Sequence, residues 1–572
     1  MLFDPATSMP RTKETIYAVV AHEMAHQWSG DLVTMGWWDN IWLNEGFATW
    51  MQIKATDHFN PSWQIWPRQH RDRELAMGQD AQPTTHAIQQ PIRSVSEAGT
   101  AFDRISYQKG EQVIRMVEDW LGPDVFRTGM RTYMKAHAYG SATSADLWAA
   151  LSEASGKDVT PVAASFTEQP GIPLIQMARR CEDGDSLVTL SQTRFTVHDP
   201  EAKPQTWQIP VTVGGPGATS QKLVLGAEPV TLRFAGCGLP LKANLGESGY
   251  YRTSYDESSL AALASHFGQF DAADRVNLLG DQFALFEAGK APLSTYLDLS
   301  AALGSQNEQS IAVWTDVISH LYRIDALERG VAQRPAFRAF ACSLLGPQLA
   351  RLGWTPRDHE SFLDTQLRPS LIAALGRFGD PAVTAEAQRR FAAFREEPSS
   401  LPASLLDPVA SIVGMHADAV TYDTLVKLAQ DAPDTEQKLR WFDALAASPD
   451  KASMARSVEL LLTGVIPNGR IVAELRAIAV DSDDPDEAWR LMQPKQAALR
   501  ALLPTSVQGR LLPTVAAMSN DPDIRRALLA DPASGASPGA KIEAAKAADL
   551  IATNAELRGR TQPAITEWLA SR

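Results

Sequence analysis

The pentapeptide "HEMAH", near the start of this 572-residue chain, is the feature that most constrains what the chain can fold into. It places His22 and His26 four residues apart, so on a helix both imidazoles project from one face, about one turn apart. Two such nitrogens can bind one Zn²⁺, and Glu23 between them is positioned to hold a water molecule rather than the metal. The pattern arises by chance in roughly one sequence in a hundred, so by itself it is only a hint.

A catalytic zinc needs a third protein ligand and leaves its fourth position open. Glu45, in "WLNEGFA", is separated from His26 by eighteen residues, which is enough for the first helix to end and a second to return antiparallel to it. The alternative is a solvated glutamate, the usual state of a lone Glu on a helix. The apolar neighbours Trp42 and Phe47 oppose that alternative, because a buried carboxylate needs a partner.

The surrounding sequence predicts three helices that would present these residues. "ETIYAVVAHEMAHQWSG" has a broad apolar face and is expected to end at Gly30. Asp39 or Asn40 can cap the second helix, although Asp39 could instead orient a metal-binding histidine through a hydrogen bond. The third helix, "SYQKGEQVIRMVEDWLG", is expected to stop at Gly122 before Pro123.

The pattern of the sequence changes twice along the chain. From Leu174 to about Tyr255, short alternating runs separated by Gly, Pro and Asp turns predict a small antiparallel β-sandwich. From Glu257 onward the pattern is helical and predicts an irregular solenoid of the HEAT or armadillo kind. The expected fold class is therefore multi-domain and mainly α with a β-sandwich, and the domains are expected at 1-173, 174-256 and 257-572.

Composition argues against several classes of function. The formal charge is −14 and no run of Lys and Arg occurs, which disfavours a nucleic-acid partner. No apolar stretch reaches the ~20 residues that cross a bilayer, and the first residues lack the features of a signal peptide. With three cysteines, Cys181, Cys237 and Cys342, no disulfide framework is expected, which fits a reducing compartment. The cytoplasm is the expected location, and export to the periplasm stays open if the true N-terminus lies upstream.

Four motifs together carry a resemblance to a known family. They are "HEMAHQW", the eighteen-residue interval, "WLNEGFA" and "ISYQKG", and the segments "FTEQPGIPLI", "GYYRTSYD" and "RVNLLGDQFALFEAG" extend the similarity over essentially the whole chain. The chain resembles the gluzincin zinc aminopeptidases of the aminopeptidase N, puromycin-sensitive and endoplasmic-reticulum type. The resemblance implies a partial thermolysin-like helical catalytic domain, followed by the sandwich and the C-terminal helical domain.

At matched positions the resemblance implies a role for each of five residues. His22, His26 and Glu45 would bind one Zn²⁺ per chain, Glu23 would be the general base, and Tyr107 would donate a hydrogen bond to the developing oxyanion. Taken without the family, Tyr107 is better explained as a helix-start tyrosine packed on the core. The implied activity is zinc-dependent hydrolysis of N-terminal residues from peptides.

One branch of the family is disfavoured by two features. The leukotriene-epoxide hydrolases carry a second tyrosine five residues before the catalytic one, where this chain has Phe102. They also lack the sandwich that is predicted here. Peptides are therefore the expected partners and substrates, while the side-chain preference and the oligomeric state stay open.

The chain departs from the family pattern at its start. Family members hold the free N-terminus of the substrate with a glutamate in a Gly-x-Met-Glu-Asn strand before the first zinc histidine, and no Met-Glu-Asn occurs here. The N-terminal β-domain and the sheet half of the catalytic domain are also missing. The chain thus resembles roughly the C-terminal two-thirds of a full enzyme, and it is expected to be a piece of a longer aminopeptidase or an enzyme of weakened activity.

A second class of function is an inactive fragment or helical scaffold that keeps a residual zinc site. Such a protein would be expected to lose metal-binding residues, whereas His22, Glu23, His26, Glu45 and Tyr107 are all present. Metal analysis separates the two classes, because the enzyme is expected to carry about one zinc per chain.

Overall fold

A computed structural model describes residues 3, 8–93, 95–199 and 201–572 of the chain. The chain divides into two compact units, one formed by Glu14–Asp316 and the other by Met1–Lys13 together with Val317–Arg572. The three-domain division at residues 173 and 256 stays a prediction.

Short helices dominate the first 170 residues, as the 3.6-residue periodicity predicts. Two three-residue strands pair in parallel, and a π-helical turn at Ile105–Lys109 precedes the sixth helix. The helices and strands are α1 Pro10–Ala25, β1 Val33–Met35, α2 Trp42–Phe59, α3 Ile65–Arg68, α4 His70–Asp80, α5 Val95–Ala98, α6 Gly110–Leu121, α7 Pro123–His137, β2 Gly140–Ala142, α8 Ser144–Ser155 and α9 Thr160–Thr167.

The first helix ends earlier than predicted, at Ala25 rather than at Gly30. The following residues tighten into turns, since the Trp28 N–H donates to the Ala25 carbonyl, and Gly30 takes the positive φ of 141° that ends the turn. The His26 N–H still donates to the His22 carbonyl at 3.3 Å, so the two histidines remain one helical turn apart.

The predicted cap of the second helix is wrong. Ile41 precedes α2 without a side-chain cap, and Asp39 and Asn40 lie in a 3₁₀ turn before it. Asn40 is buried, and its Oδ1 accepts from the backbone N–H of Ser144 at 3.0 Å and from its hydroxyl at 2.7 Å. The side chain therefore ties α2 to the start of α8 rather than capping α2. The predicted stop of the third helix at Gly122 is confirmed.

Residues 172–255 form two small sheets, as predicted. Their order is β7-β4-β3-β9 in one sheet and β6-β5-β8 in the other. One pair departs from the antiparallel expectation, because β9 runs parallel to β3. Valines and leucines on β4 and β5 lie in one buried cluster, which fits the predicted sandwich core. The strands are β3 Ile172–Glu182, β4 Asp185–Phe195, β5 Ile209–Gly215, β6 Ala218–Leu225, β7 Val230–Ala235, β8 Lys242–Ala243 and β9 Arg252–Tyr255.

The expectation that no disulfide braces the chain needs correction at one place. Cys181 and Cys237 form a disulfide, with Cα atoms 5.5 Å apart and a sequence separation of 56 positions. Cys181 ends β3 and Cys237 follows β7, and both strands flank β4, so the sheet brings the two thiols together. The cysteine count therefore no longer supports a reducing compartment.

From Glu257 to the C-terminus every regular element is helical among the described residues, as predicted. Asp256 caps the first of these helices by accepting from the Ser259 N–H at 3.0 Å. No helix within the described ranges is both long and apolar enough to cross a bilayer. The helices are α10 Glu257–Ser265, α11 Ala272–Glu287, α12 Leu293–Ala302, α13 Ile311–Leu327, α14 Arg334–Leu352, α15 Phe362–Arg377, α16 Pro381–Glu396, α17 Ala403–Met415, α18 Ala419–Asp431, α19 Thr435–Ala446, α20 Lys451–Leu460, α21 Ile471–Asp481, α22 Pro485–Met492, α23 Gln496–Ala501, α24 Thr505–Gln508, α25 Leu511–Ala516, α26 Pro522–Ala530 and α27 Pro538–Ala570.

Candidate metal centre

Three side chains converge at the end of α1: His22 lies on α1, His26 directly follows it, and Glu45 lies on α2. The Oε2 atom of Glu45 lies 3.4 Å from Nε2 of His22 and 3.5 Å from Nε2 of His26. One ligand atom from each of the three residues lies within 4.8 Å of the others, and no second group of this kind occurs in the described part of the chain. The arrangement brings together the three residues that the spacing of the sequence singles out.

A hydrogen bond from the second ring nitrogen fixes the orientation of His26. Its Nδ1 lies 3.0 Å from the carbonyl oxygen of Ser29, which accepts a proton and cannot donate one. The proton of a neutral His26 is therefore on Nδ1, and the lone pair on Nε2 points toward Glu45. The Oδ1 of Asp39 accepts from the side chain of Asn40 at 2.8 Å, and the alternative that Asp39 orients a histidine stays a prediction.

Tyr107 lies against the same group of side chains. Its ring stacks on the ring of His22, with centroids 6.2 Å apart and planes within 10° of parallel, and its hydroxyl interacts electrostatically with the carboxylate of Glu45. Burial and the negative charge of Glu45 raise the pKa of Tyr107 well above its ordinary value, so the hydroxyl keeps its proton at neutral pH.

The electrostatics of Glu45 favour its ionised form. Burial raises its pKa, but polar interactions with the side chains of His22 and Tyr107 and, when His26 is protonated, the charge of that imidazole outweigh burial, so the pKa lies below its usual value. A carboxylate that stays ionised beside two imidazoles is suited to a divalent cation.

A buried ion pair holds the segment that carries Tyr107. Lys109 ends the π-helical turn, and its Nζ lies 2.8 Å from Oδ2 of Asp80 on α4, with both side chains fully buried. The same ammonium donates to the carbonyl of Gly171 at 3.2 Å. Spacing arguments miss this pair, although Lys109 belongs to the "SYQKG" motif.

Glu23 is exposed and lines a cleft of about 260 Å³ together with His22 and Tyr107. Its negative charge also contributes to the raised pKa of Tyr107. The predicted general base and the predicted oxyanion donor thus lie at the same cleft as His22, one of the three candidate metal ligands. These roles stay predictions at this stage.

Two imidazoles, one carboxylate and an accessible cleft form the donor set of a catalytic zinc site. The sequence matches the peptidase family M1 domain over residues 1–166 and the ERAP1-like C-terminal domain over residues 240–531, the latter just over half of the chain. The chain belongs to the M1 gluzincin aminopeptidase family. M1 enzymes are zinc enzymes, which agrees with the donor set described here.

Similar proteins in the M1 family include plant and fungal aminopeptidases. The chain is 31% identical over 509 residues to Aminopeptidase M1-D of Oryza sativa subsp. japonica, covering 86% of the chain and 58% of that protein. It is 31% identical over 520 residues to Aminopeptidase M1 of Arabidopsis thaliana, with the same coverage of 86% and 58%. It is 29% identical over 581 residues to Aminopeptidase 2 of Candida albicans, covering 100% of the chain and 62% of that protein. The chain thus spans about three fifths of the length of these M1 relatives.

Proposed function

We propose that this chain carries the zinc-dependent peptidase site of an M1 aminopeptidase and removes N-terminal residues from peptides. The convergence of His22, His26 and Glu45 within 4.8 Å is the observation that supports the proposal most directly. The free Nε2 lone pair of His26 and the ionised carboxylate of Glu45 fit a divalent cation. A zinc ion bound there would supply Lewis-acid activation of a water molecule and of the peptide carbonyl.

Glu23 is suited to move the proton in this reaction. Its carboxylate is exposed at the cleft, beside His22 in sequence but outside the three-residue metal group. It would accept a proton from the attacking water and pass that proton to the leaving amine.

Tyr107 would stabilise the negative charge that develops on the carbonyl oxygen. Its hydroxyl keeps its proton because burial and Glu45 raise the pKa, so it can act as a donor. The hydroxyl lies close to Glu45 in the structure, and a substrate carbonyl in the cleft would offer it an acceptor.

An assay with blocked and free amino termini tests the proposal. Zinc-loaded protein is expected to hydrolyse aminoacyl-p-nitroanilides and to leave their N-acetylated forms intact, because an aminopeptidase requires the free amine. The Glu23→Gln variant, purified in parallel, controls for contaminating peptidases. Hydrolysis no faster than in that variant, or equal cleavage of the acetylated substrates, would show that the chain as printed is not an aminopeptidase, which leaves the scaffold function.

A further inference from the structure

Glu111 is a buried carboxylate at the cleft, and one of its two oxygens makes no hydrogen bond to the described residues. It lies in the first turn of α6, one turn after Tyr107, and is only 2% exposed. Its Oε2 accepts from the amide of Gln112 at 2.7 Å, whereas its Oε1 has no hydrogen-bond partner among the described residues. Because a buried, unpaired carboxylate oxygen is costly, its position at a ligand cleft requires an explanation.

A second carboxylate lies at the same cleft. Asp72 on α4 is exposed and lines the opening, and its negative charge acts on Glu111. The other lining residues on this side are the amides Gln52, Gln69 and Gln108. No lysine or arginine occurs among the described residues that line the cleft, so its walls carry acidic groups and amide oxygens without a matching cation.

Two arginines lie near Glu111, but the hydrogen bonds that the structure shows for them go to other residues. Arg73 donates to the carbonyls of Gly249 and Tyr251, and Arg115 donates to the carbonyl of Gly246. Burial raises the pKa of Glu111 to about 7, even though both arginine charges act to lower it. The two arginine charges therefore offset only part of the cost of burying this carboxylate.

We propose that Glu111 and Asp72 form a subsite that binds the basic side chain of a lysine or arginine residue next to the scissile bond. This proposal rests on the proposed function, because the subsite opens into the same cleft as Glu23 and Tyr107. A cationic side chain would supply the partner that Oε1 of Glu111 lacks and would be held at the opening by Asp72.

The size and composition of the cleft favour a long cationic side chain over a small ammonium group. A volume of about 260 Å³ exceeds what an amino group alone requires and suits an extended side chain. A guanidinium has five donors, and the two carboxylates together with the amide oxygens of Gln52, Gln69 and Gln108 offer several acceptors. The subsite is therefore expected to prefer arginine to its neutral analogue citrulline.

Two peptide pairs test the subsite on either side of the scissile bond. Arg-Ala is compared with citrulline-Ala, and Ala-Arg with Ala-citrulline, in kcat/KM of the zinc-loaded protein. The arginine peptide of one pair is expected to be favoured by tenfold or more, because a site with unpaired carboxylates rejects a ligand that lacks the charge. Glu111→Gln should abolish most of that preference, and Asp72→Asn should reduce it.

Glu118→Gln is the matched control. Glu118 lies on the same helix, α6, but pairs with Trp50 and Lys54 away from this cleft. This variant should leave the ratio of arginine to citrulline unchanged. Thermal melts of all variants exclude a general loss of folding as the cause of any change in preference.

Calorimetric binding separates failure of this proposal from failure of the proposed function. Binding of the same four peptides is measured to zinc-loaded Glu23→Gln protein, with and without Glu111→Gln, so that no turnover is needed. A preference for arginine in binding supports the subsite even if the wild type hydrolyses nothing. Equal binding of arginine and citrulline in both pairs would overturn the proposed subsite. Equal weakening of both members of a pair by Glu111→Gln would also overturn it, because that result would assign Glu111 to binding of the α-ammonium group.

Discussion

Gly46 and Gly110 meet face to face where α2 contacts the start of α6. A Cβ placed on Gly46 would lie 3.2 Å from the carbonyl carbon and 3.3 Å from the Cα of Gly110, so a side chain at residue 46 would fit only if the two backbones moved slightly apart. Gly46 follows Glu45, and Gly110 lies three residues after Tyr107. This close approach therefore sets the distance between the predicted third metal ligand and the predicted oxyanion donor.

Gly46→Ala is expected to force α2 and α6 apart, because the added methyl group meets backbone atoms that cannot rotate away. A loss of about 1–3 kcal/mol in stability and a lower kcat are expected, measured by thermal melts and peptidase assays. Gly78→Ala is the control, since Gly78 is an exposed residue in α4 with no atom within 4 Å of its added Cβ. That change should be neutral or stabilising, and an equal loss in both variants would contradict the close-packing argument.

Glu23→Gln is expected to keep the bound zinc and to lower kcat by ~10²–10⁴-fold, the usual contribution of a general acid–base group. The amide keeps the size of the side chain but cannot accept the proton of the attacking water. Metal content and kcat are measured on the same preparation. Glu14→Gln, on the same helix but paired with Arg68, should retain activity, and full activity of the Glu23 variant would remove its assigned role.

Tyr107→Phe is expected to lower kcat by ~10²-fold or more, the cost of losing one oxyanion donor. The ring and its stacking on His22 are preserved, so zinc binding should change little. Tyr133→Phe removes the hydroxyl of another buried tyrosine, on α7, and serves as the control. If both variants keep wild-type kcat, Tyr107 is a packing residue, as its sequence position alone suggests.

The stability of the protein is expected to depend on pH through the buried side chain of His70. Burial lowers its pKa, but the charges of Glu247 and Glu74 and the nearby carboxylate of Asp316, 3.5 Å from Nε2, outweigh burial and raise the pKa to about 10. Because the folded value exceeds the ordinary ~6.5, the stabilisation is fully present below pH ~6.5 and is lost as pH rises toward about 10. His70→Gln should cost ~3 kcal/mol at pH 6 and progressively less toward pH 10.

Urea unfolding midpoints from pH 6 to pH 10 check this expectation. His58→Gln, at an exposed histidine, is the control and should leave the pH dependence unchanged. A loss of stability in the His70 variant that is constant across this range would show that packing against Gly280, rather than charge, accounts for it.

The convergence of His22, His26 and Glu45 could be predicted from the sequence. The four-residue spacing places the two histidines on one side of the chain, and the interval before Glu45 allows a second helix to return to them. The role proposed for Tyr107 came only from the family motif. The Gly46–Gly110 contact and the unpaired oxygen of Glu111 depend on which helices meet in three dimensions, and no sequence period encodes that.

The same limit explains two wrong predictions. The Cys181–Cys237 bond joins residues on strands that are separated by 56 positions, and only the order of the sheet makes them neighbours. Asparagine is a residue type that often caps helices, but Asn40 is buried and its side chain hydrogen-bonds to Ser144 on α8. In both places tertiary contacts override a local preference.

Zinc content per chain, measured by mass spectrometry after dialysis against metal-free buffer, tests the central claim most directly. The wild type is expected to retain about one zinc per chain, and His26→Ala and Glu45→Ala are expected to lose most of it, because each removes one of three protein ligands. His86→Ala, at a histidine outside the group, should retain the metal. A wild type without zinc, or equal zinc in all four proteins, would contradict a shared metal site at His22, His26 and Glu45.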